Sequence, residues 1–389
     1  MIRAGGETSR ATLGWSLATI AGLLALLGMS RMSSLRSVWE VLGGAVEGRA
    51  AQDARNDGYY EELLDATVAR GAGGWRRGPS EIAPRGWVRL HETDGVRWDD
   101  PFHRFRLNPG ADFDYKGAPL AVNELGLRDR PTTRVKPKGV RRVAMVGASV
   151  LMGSGVPVEA TFENLIEDAI GDGVLGDRGE VELLNFAVAG YRLDQLADVV
   201  VTRLDSFDPD AVVLVLNDLA VNPNWSRHVV RLVAEERDLR HDFLRRVVDA
   251  SGIRAGDDPR RMTAQLAEHR DVVIEGALRV ARDWCRARGI PLVLLAVQQP
   301  ARTSTFRERL DGIRDVPRAL GIPVVDIADA FDDVAEPERL WLRAWDRHPT
   351  AEGHALMAAR FLTRLQSDED LADLIVGAAR SRGDGAPHE

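Results

Sequence analysis

One cysteine, Cys285, stands among 389 residues. It excludes an internal disulfide framework, a zinc site built on cysteines and an iron–sulfur cluster. It does not decide the redox compartment, because a protein without disulfides is at home on either side of a bacterial membrane. Lysine is nearly absent: Lys116, Lys136 and Lys138 are the whole set, and arginine supplies the other cations. The 51 basic residues fall short of the 59 acidic ones and leave a net charge of −8. No basic field covers the chain, so no nucleic-acid partner is expected. Internal repeats are missing too. The hydrophobic fraction of 44%, the charged fraction of 28% and the 37 glycines are an ordinary globular balance, which excludes global disorder and a collagen-like chain. The length is enough for a sizeable core, as two or three domains or as one α/β domain with additions.

A long uncharged apolar run occurs once. Residues 11–30 read ATLGWSLATIAGLLALLGMS, bracketed by Arg10 and Arg31. As a helix the run spans about 30 Å, the hydrocarbon thickness of a bilayer. It is read as a single-pass anchor after a short tail, 1–10. A cleaved signal peptide and a buried helix are the rival readings; no small-x-small cleavage box follows Met29. Arg3 and Arg10 precede the run and Arg31 and Arg36 follow it, which favours an inner amino terminus and a body outside the membrane. Residues 31–139 are expected to be a linker and an extension packing on the core. Within them, 57–70 has helical spacing, and Trp75, Trp87 and Trp98 are expected to pack on the main domain rather than lie at a membrane interface.

From Arg141 the pattern changes. Strand-like segments at 143–146, 181–186, 211–216, 290–297 and 322–327, fully apolar at 211–216, alternate with helical spacing. Continuous apolar strands between helices predict a three-layer α/β sandwich around a parallel sheet of about five strands. In such sheets ligands bind at the carboxyl ends of the strands. The domain is placed at 140–370, with an insert at 219–268 and a flexible tail at 371–389.

The polar residues that stand out follow these strands. Ser149 lies in VGASVLMGSGV at a strand-to-helix turn. The glycine spacing fits neither a dinucleotide fingerprint nor a Walker A loop, and Leu151 breaks a G-x-S-x-G elbow. Spacing alone leaves open a nucleophile and a helix-capping serine. The stretch 185–190, NFAVAG, ends in Gly190, where backbone can approach a ligand. Asn217 follows AVVLVL, and its amide can donate to an oxyanion; Asp218 can cap the next turn. Asp346 and His348 precede a helix, a base beside its orienting carboxylate. The rival is a metal pair of His348 and His354, but the two are six apart, where helical metal pairs prefer three or four. No metal or cofactor is expected, and His354 is expected to pack or hydrogen-bond at the helix start.

In this order the blocks around Ser149, Gly190, Asn217 and His348 resemble the SGNH hydrolase superfamily, the GDSL-like esterases. The resemblance covers roughly 140–370. NELGLR at Asn123–Arg128 and GYYEELLD at Gly58–Asp65 resemble upstream elements of a membrane-anchored bacterial branch. It implies an SGNH, flavodoxin-like fold and a carboxylic ester hydrolase. Ser149 would be the nucleophile, His348 the base and Asp346 its orienter. Ser149, Gly190 and Asn217 would form the oxyanion hole. Ala148 replaces the usual middle Asp, which ties that loop together. Asp346 and His348 are two apart instead of three, and Thr350 replaces the Asn of an HPN element.

Water as acceptor makes an esterase of acetyl or short acyl groups; a sugar hydroxyl makes an O-acyltransferase. The third alternative is an inactive, membrane-tethered protein that binds or assembles polysaccharide. The substrate is thus an acylated small molecule or polysaccharide. The insert contains Trp225, His228 and His241; Trp225 with nearby Arg and Asn residues suggests sugar binding, and a solvated helical cap is the alternative. A chain begun near residue 40 is expected to stay soluble and to melt cooperatively; loss of the cooperative transition overturns the anchor reading.

Overall fold

Strands that are apolar at every position, as at 211–216, must be covered on both faces, and the five segments expected as strands meet in one sheet of the computed structural model. It describes residues 87–217, 225–301 and 314–378, all within one compact unit. Before the sheet come two antiparallel hairpins. One pairs β1 (Val96–Arg97) with β2 (Arg106–Leu107), the other β3 (Asp112–Tyr115) with β4 (Ala118–Ala121). The central strands are β5 (Val140–Val146), β6 (Glu180–Asn185), β7 (Ala211–Leu216), β8 (Leu292–Ala296) and β9 (Val324–Asp326). All neighbours run parallel, in the order β6-β5-β7-β8-β9. The five expected strands are therefore present, with shifted ends. Strand β5 starts earlier because the otherwise buried guanidinium of Arg142 finds the carbonyls of Thr133, Arg134 and Phe207 and the Glu182 carboxylate. Strands β8 and β9 start later because Pro291 and Pro323 cannot donate to the ladder. Each still accepts through its carbonyl, from Val212 and Leu294.

The crossovers sort the helices. Helix α1 (Ser149–Met152) is a single turn after β5. Helix α2 (Phe162–Gly171) links β5 outward to β6, and α3 (Leu193–Arg203) links β6 back across to β7. Right-handed crossovers in opposite directions place α2 and α3 on opposite faces. In the insert lie α4 (Trp225–Ala234), α5 (Asp242–Ser251) and α6 (Pro259–Ala267); α7 (Arg270–Ala287) leads into β8. Helix α7 packs on α3, while α8 (Ala351–Ser367) packs on α2 and α9 (Glu369–Val376) packs on α8. The result is the three-layer sandwich. A last hairpin, β10 (Trp341–Arg343) with β11 (Asp346–Pro349), precedes α8.

Charged groups join the insert and the N-terminal extension to α3. His228 on α4 contacts Asp194 at 2.5 Å through Nδ1 and donates to the Phe102 carbonyl at 2.7 Å through Nε2. Arg240 donates to Asp198 at 2.6 Å and to Asp100 at 2.8 Å. His228 and His241 thus belong to this junction. Trp225 is 1% exposed, so its ring is core and offers no face to a sugar. The flexible tail expected at 371–389 is corrected at its start, where Ala372, Ile375 and Val376 bury the apolar face of α9; residues 379–389 lie outside the described residues. Trp98 is half-exposed, with its ring against His91 and Phe105. The anchor at 11–30, the helix at 57–70, Trp75 and Asp218 lie outside the described residues. Among the described residues no helix is long and apolar enough to cross a membrane.

Leu294 is the test of the sheet. It pairs with Leu214 and Val324 in the buried interior. Leu294→Ala should cost about 2–5 kcal/mol, read as a lower denaturant midpoint with an unchanged slope.

Candidate active site

Because β6, β5 and β7 are parallel neighbours, the residues after them share one edge of the sheet. Ser149 follows β5, Gly190 follows β6 and Asn217 follows β7 directly. Ser149 is the first residue of α1, so its N–H lacks an intrahelical acceptor and is aimed outward with the helix start. Gly190 has φ +88°, a left-handed conformation suited to glycine. Asn217 is buried.

Strand β11 brings the base. Alternation along the strand turns Asp346 and His348 inward together, with Arg347 between them less buried. A spacing of two is thus the natural one for a pair carried on a strand. Strand β11 packs against α1, the helix that opens with Ser149. Close approach is helped at Gly155 (φ +84°), where a Cβ would lie 2.2 Å from Leu342 of the same hairpin.

The Asp346 carboxylate is saturated. Oδ1 accepts the His348 backbone N–H at 3.1 Å and contacts His348 Nδ1. Oδ2 accepts Trp87 Nε1 at 2.9 Å and Lys116 Nζ at 2.5 Å. Burial pushes the Asp346 carboxyl up, but His348 and Lys116 outweigh it and hold it well below the usual range. An ionised carboxylate only accepts, so His348 must donate from Nδ1 and carry its basic lone pair on Nε2. Burial lowers the His348 pKa; Asp346 raises it and Lys116 lowers it again, for a net shift downward. His354 is not part of this pair. Its Nδ1 accepts the Phe162 N–H at 3.0 Å and its ring stacks on Phe162.

Ala148 offers no side chain to tie the Ser149 loop, and other groups do so. Asn185 Nδ2 donates to the Leu151 carbonyl at 2.9 Å, and its Oδ1 accepts from Ala187. Val188 donates to the Gly147 carbonyl at 3.2 Å. The loops after β5 and β6 are therefore laced together. Behind Asn185 stand buried acids: Asp129 accepts its backbone N–H at 3.0 Å, and Glu163 accepts its side-chain amide at 3.3 Å.

The NELGLR segment has a local role. Asn123 Oδ1 accepts from Leu125 and Leu127, each at 3.0 Å, and closes a turn around left-handed Gly126. Arg128 is fully buried and donates to the carbonyls of Pro119, Ala121 and Val156. It fastens the hairpin that carries Lys116 to the loop after α1. Lys116 and Trp87 were not singled out as site residues by sequence reasoning. A lysine in a chain with only three was the available signal.

No protein-family model matches this sequence, and no curated protein matches it. Solved structures resemble it. A lipase/acylhydrolase from Enterococcus faecalis is 14% identical, with 58% of this chain and 96% of that chain covered at a TM-score of 0.35. A two-domain esterase active on acetylated mannans is 14% identical, with 59% and 50% covered at a TM-score of 0.38. A catalytic mutant of an acetylxylan esterase from Geobacillus stearothermophilus is 14% identical, with 62% and 97% covered at a TM-score of 0.36. At these scores the likeness adds nothing to the chemistry of the site, which rests on the residues themselves.

The acids behind Asn185 generate a stability prediction. Burial, then Asp129 and Glu167, raise the Glu163 pKa well above its ordinary value. Burial raises Glu167 to about 7. Folding therefore holds protons that the unfolded chain releases. The contribution is fully present below the ordinary carboxylate range and is lost as pH rises toward about 7. Glu163→Gln should raise the melting temperature at pH ~8, with the gain shrinking toward pH ~4.5. A gain that does not depend on pH would contradict this.

Proposed function

We propose that this protein is a serine-dependent hydrolase of carboxylic esters, with acetyl or short acyl groups on carbohydrate as substrate. The observation that carries the reading is the buried Asp346–His348 pair on a strand packed against the helix that Ser149 opens. Ser149 Oγ attacks the acyl carbon while His348 Nε2 takes its proton. Asp346 holds the tautomer and balances the imidazolium. Negative charge collects on the carbonyl oxygen, which meets the Ser149 N–H, the Gly190 N–H and the Asn217 amide. The alcohol leaves with the proton from His348, and water activated by His348 releases the acid. The order of the Ser149, Gly190, Asn217 and His348 blocks supports the same reading.

The carbohydrate part is supported by the aromatic ledge beside the pair. Trp345, next to Asp346, is 37% exposed and meets Trp87 edge-to-face. Arg343 lies over Trp87, and Arg347 lies over Trp341. The exposed ring of Trp345 suits the C–H surface of a sugar ring. Transfer to a sugar hydroxyl uses the same acyl-enzyme. We place the body outside a bacterial inner membrane, held by residues 11–30, on the strength of that uncharged run.

Ser149→Ala should abolish turnover of acetylated sugars and leave the melting temperature near that of the unaltered protein. Asn217→Ala should lower kcat by about 100-fold or more and change KM little, because its bond matters in the transition state. Product analysis with free oligosaccharide present separates hydrolysis from transfer. Full turnover by Ser149→Ala ends the reading.

A further inference from the structure

The hairpin of β3 and β4 closes on two residues, Lys116 and Gly117, between the paired Tyr115 and Ala118. Their φ values are +55° and +85°. Both being positive is the signature of a type I′ turn, whose first position usually goes to Asn, Asp or Gly. A lysine there accepts a left-handed backbone. It also places its ammonium in the interior, with the side chain 2% exposed. The ammonium lies 5.6 Å from the Tyr115 ring centroid and donates to Asp346 Oδ2. An unfavourable backbone and a buried cation thus converge on one atom. That atom is the carboxylate oxygen that His348 does not use.

We propose that Lys116 is a positioning residue for the Asp346–His348 pair: it fixes the far oxygen of the carboxylate and cancels part of the charge that His348 feels. The proposal rests on the reading of His348 as the base. In a bare Asp–His pair the carboxylate field favours the imidazolium. A cation on the same carboxylate weakens that field, so the ring stays a neutral base into more acid conditions. The other groups near the ring do not take this role. Asp346 on its own strand is the anion. His354 on α8 spends its Nδ1 on the Phe162 N–H, and burial lowers it to about 3. Arg128 acts on His354. Arg343 and Arg347 lie over the Trp87 and Trp341 rings. Among the described residues, Lys116 is the cation that acts on the His348 ring.

The test is the pH dependence of kcat/KM on an acetyl ester, for the unaltered protein, Lys116→Met and Lys116→Arg. The acid limb should move up by about one pH unit in Lys116→Met and stay near its original place in Lys116→Arg. An acid limb that does not move in folded Lys116→Met overturns the proposal. Where Lys116→Met does not fold, Lys116→Gln takes its place: the acid limb should again move up, and a limb that stays in place overturns the proposal. Ser149→Ala separates the two failures. If it retains turnover, the hydrolase reading falls. If it is inactive while the Lys116→Met limb stays in place, only the role of Lys116 falls.

Discussion

The site depends on one carboxylate. Asp346 receives four hydrogen-bond donors from three stretches of chain: two from His348, one from Trp87 and one from Lys116. Removing a partner from a buried ion pair typically costs about 3–5 kcal/mol, because the remaining charge is left uncompensated. Saturation is therefore what makes a buried, ionised Asp346 tolerable. It also sets the chemistry. With Asp346 ionised, His348 must present Nδ1–H to it, and the basic nitrogen is the other one. The geometry of the base is held by packing among the N-terminal extension, β11 and the start of α8, rather than by β11 alone.

The parallel sheet supplies the rest by register. Three adjacent strands end on one edge, and each delivers a polar group there. Such an edge requires loops that hold their shape with few side chains. Here the lacing runs from the β6 loop to the β5 loop through Asn185 and Val188. A carboxylate at position 148 would be one way to tie the Ser149 turn. An amide on the neighbouring strand with a buried acid behind it is another.

Much of this was legible in the sequence, and the reason is local. Strands such as AVVLVL at 211–216 and LVLLA at 292–296 are apolar throughout and cannot be half-buried, so a sheet covered on both faces follows from them. Asp346 and His348 were visible because a histidine beside a carboxylate just before a helix is a local pattern; the strand that carries them was not. Lys116 and Trp87 were not, because their partner lies more than two hundred residues away and no periodicity links a hairpin turn to a distant strand. Trp225 misled for a related reason. An aromatic in a polar, arginine-rich insert looks available to a sugar, but the insert folds back on its own helices and on α7, and the ring goes into the core. The strand starts erred where proline or a satisfied arginine overrode hydrophobicity, as at Pro291, Pro323 and Arg142.

Burial acts in the same direction on Asp346 and on the acids behind Asn185. It raises Asp346 as it raises Glu163 and Glu167. The outcomes are opposite because the partners differ. Asp346 meets an ammonium and an imidazole and remains an anion. Glu163 meets other acids and neutral amides, while the nearby guanidinium of Arg130 is spent on Asp168 at the surface. An acid held neutral can brace a loop, as Glu163 does behind Asn185. It cannot fix a tautomer or balance an imidazolium. The cation bonded to Asp346 is thus what separates this carboxylate from Glu163. In this fold the hairpin of the N-terminal extension supplies it, which ties the extension to the chemistry of the domain it precedes.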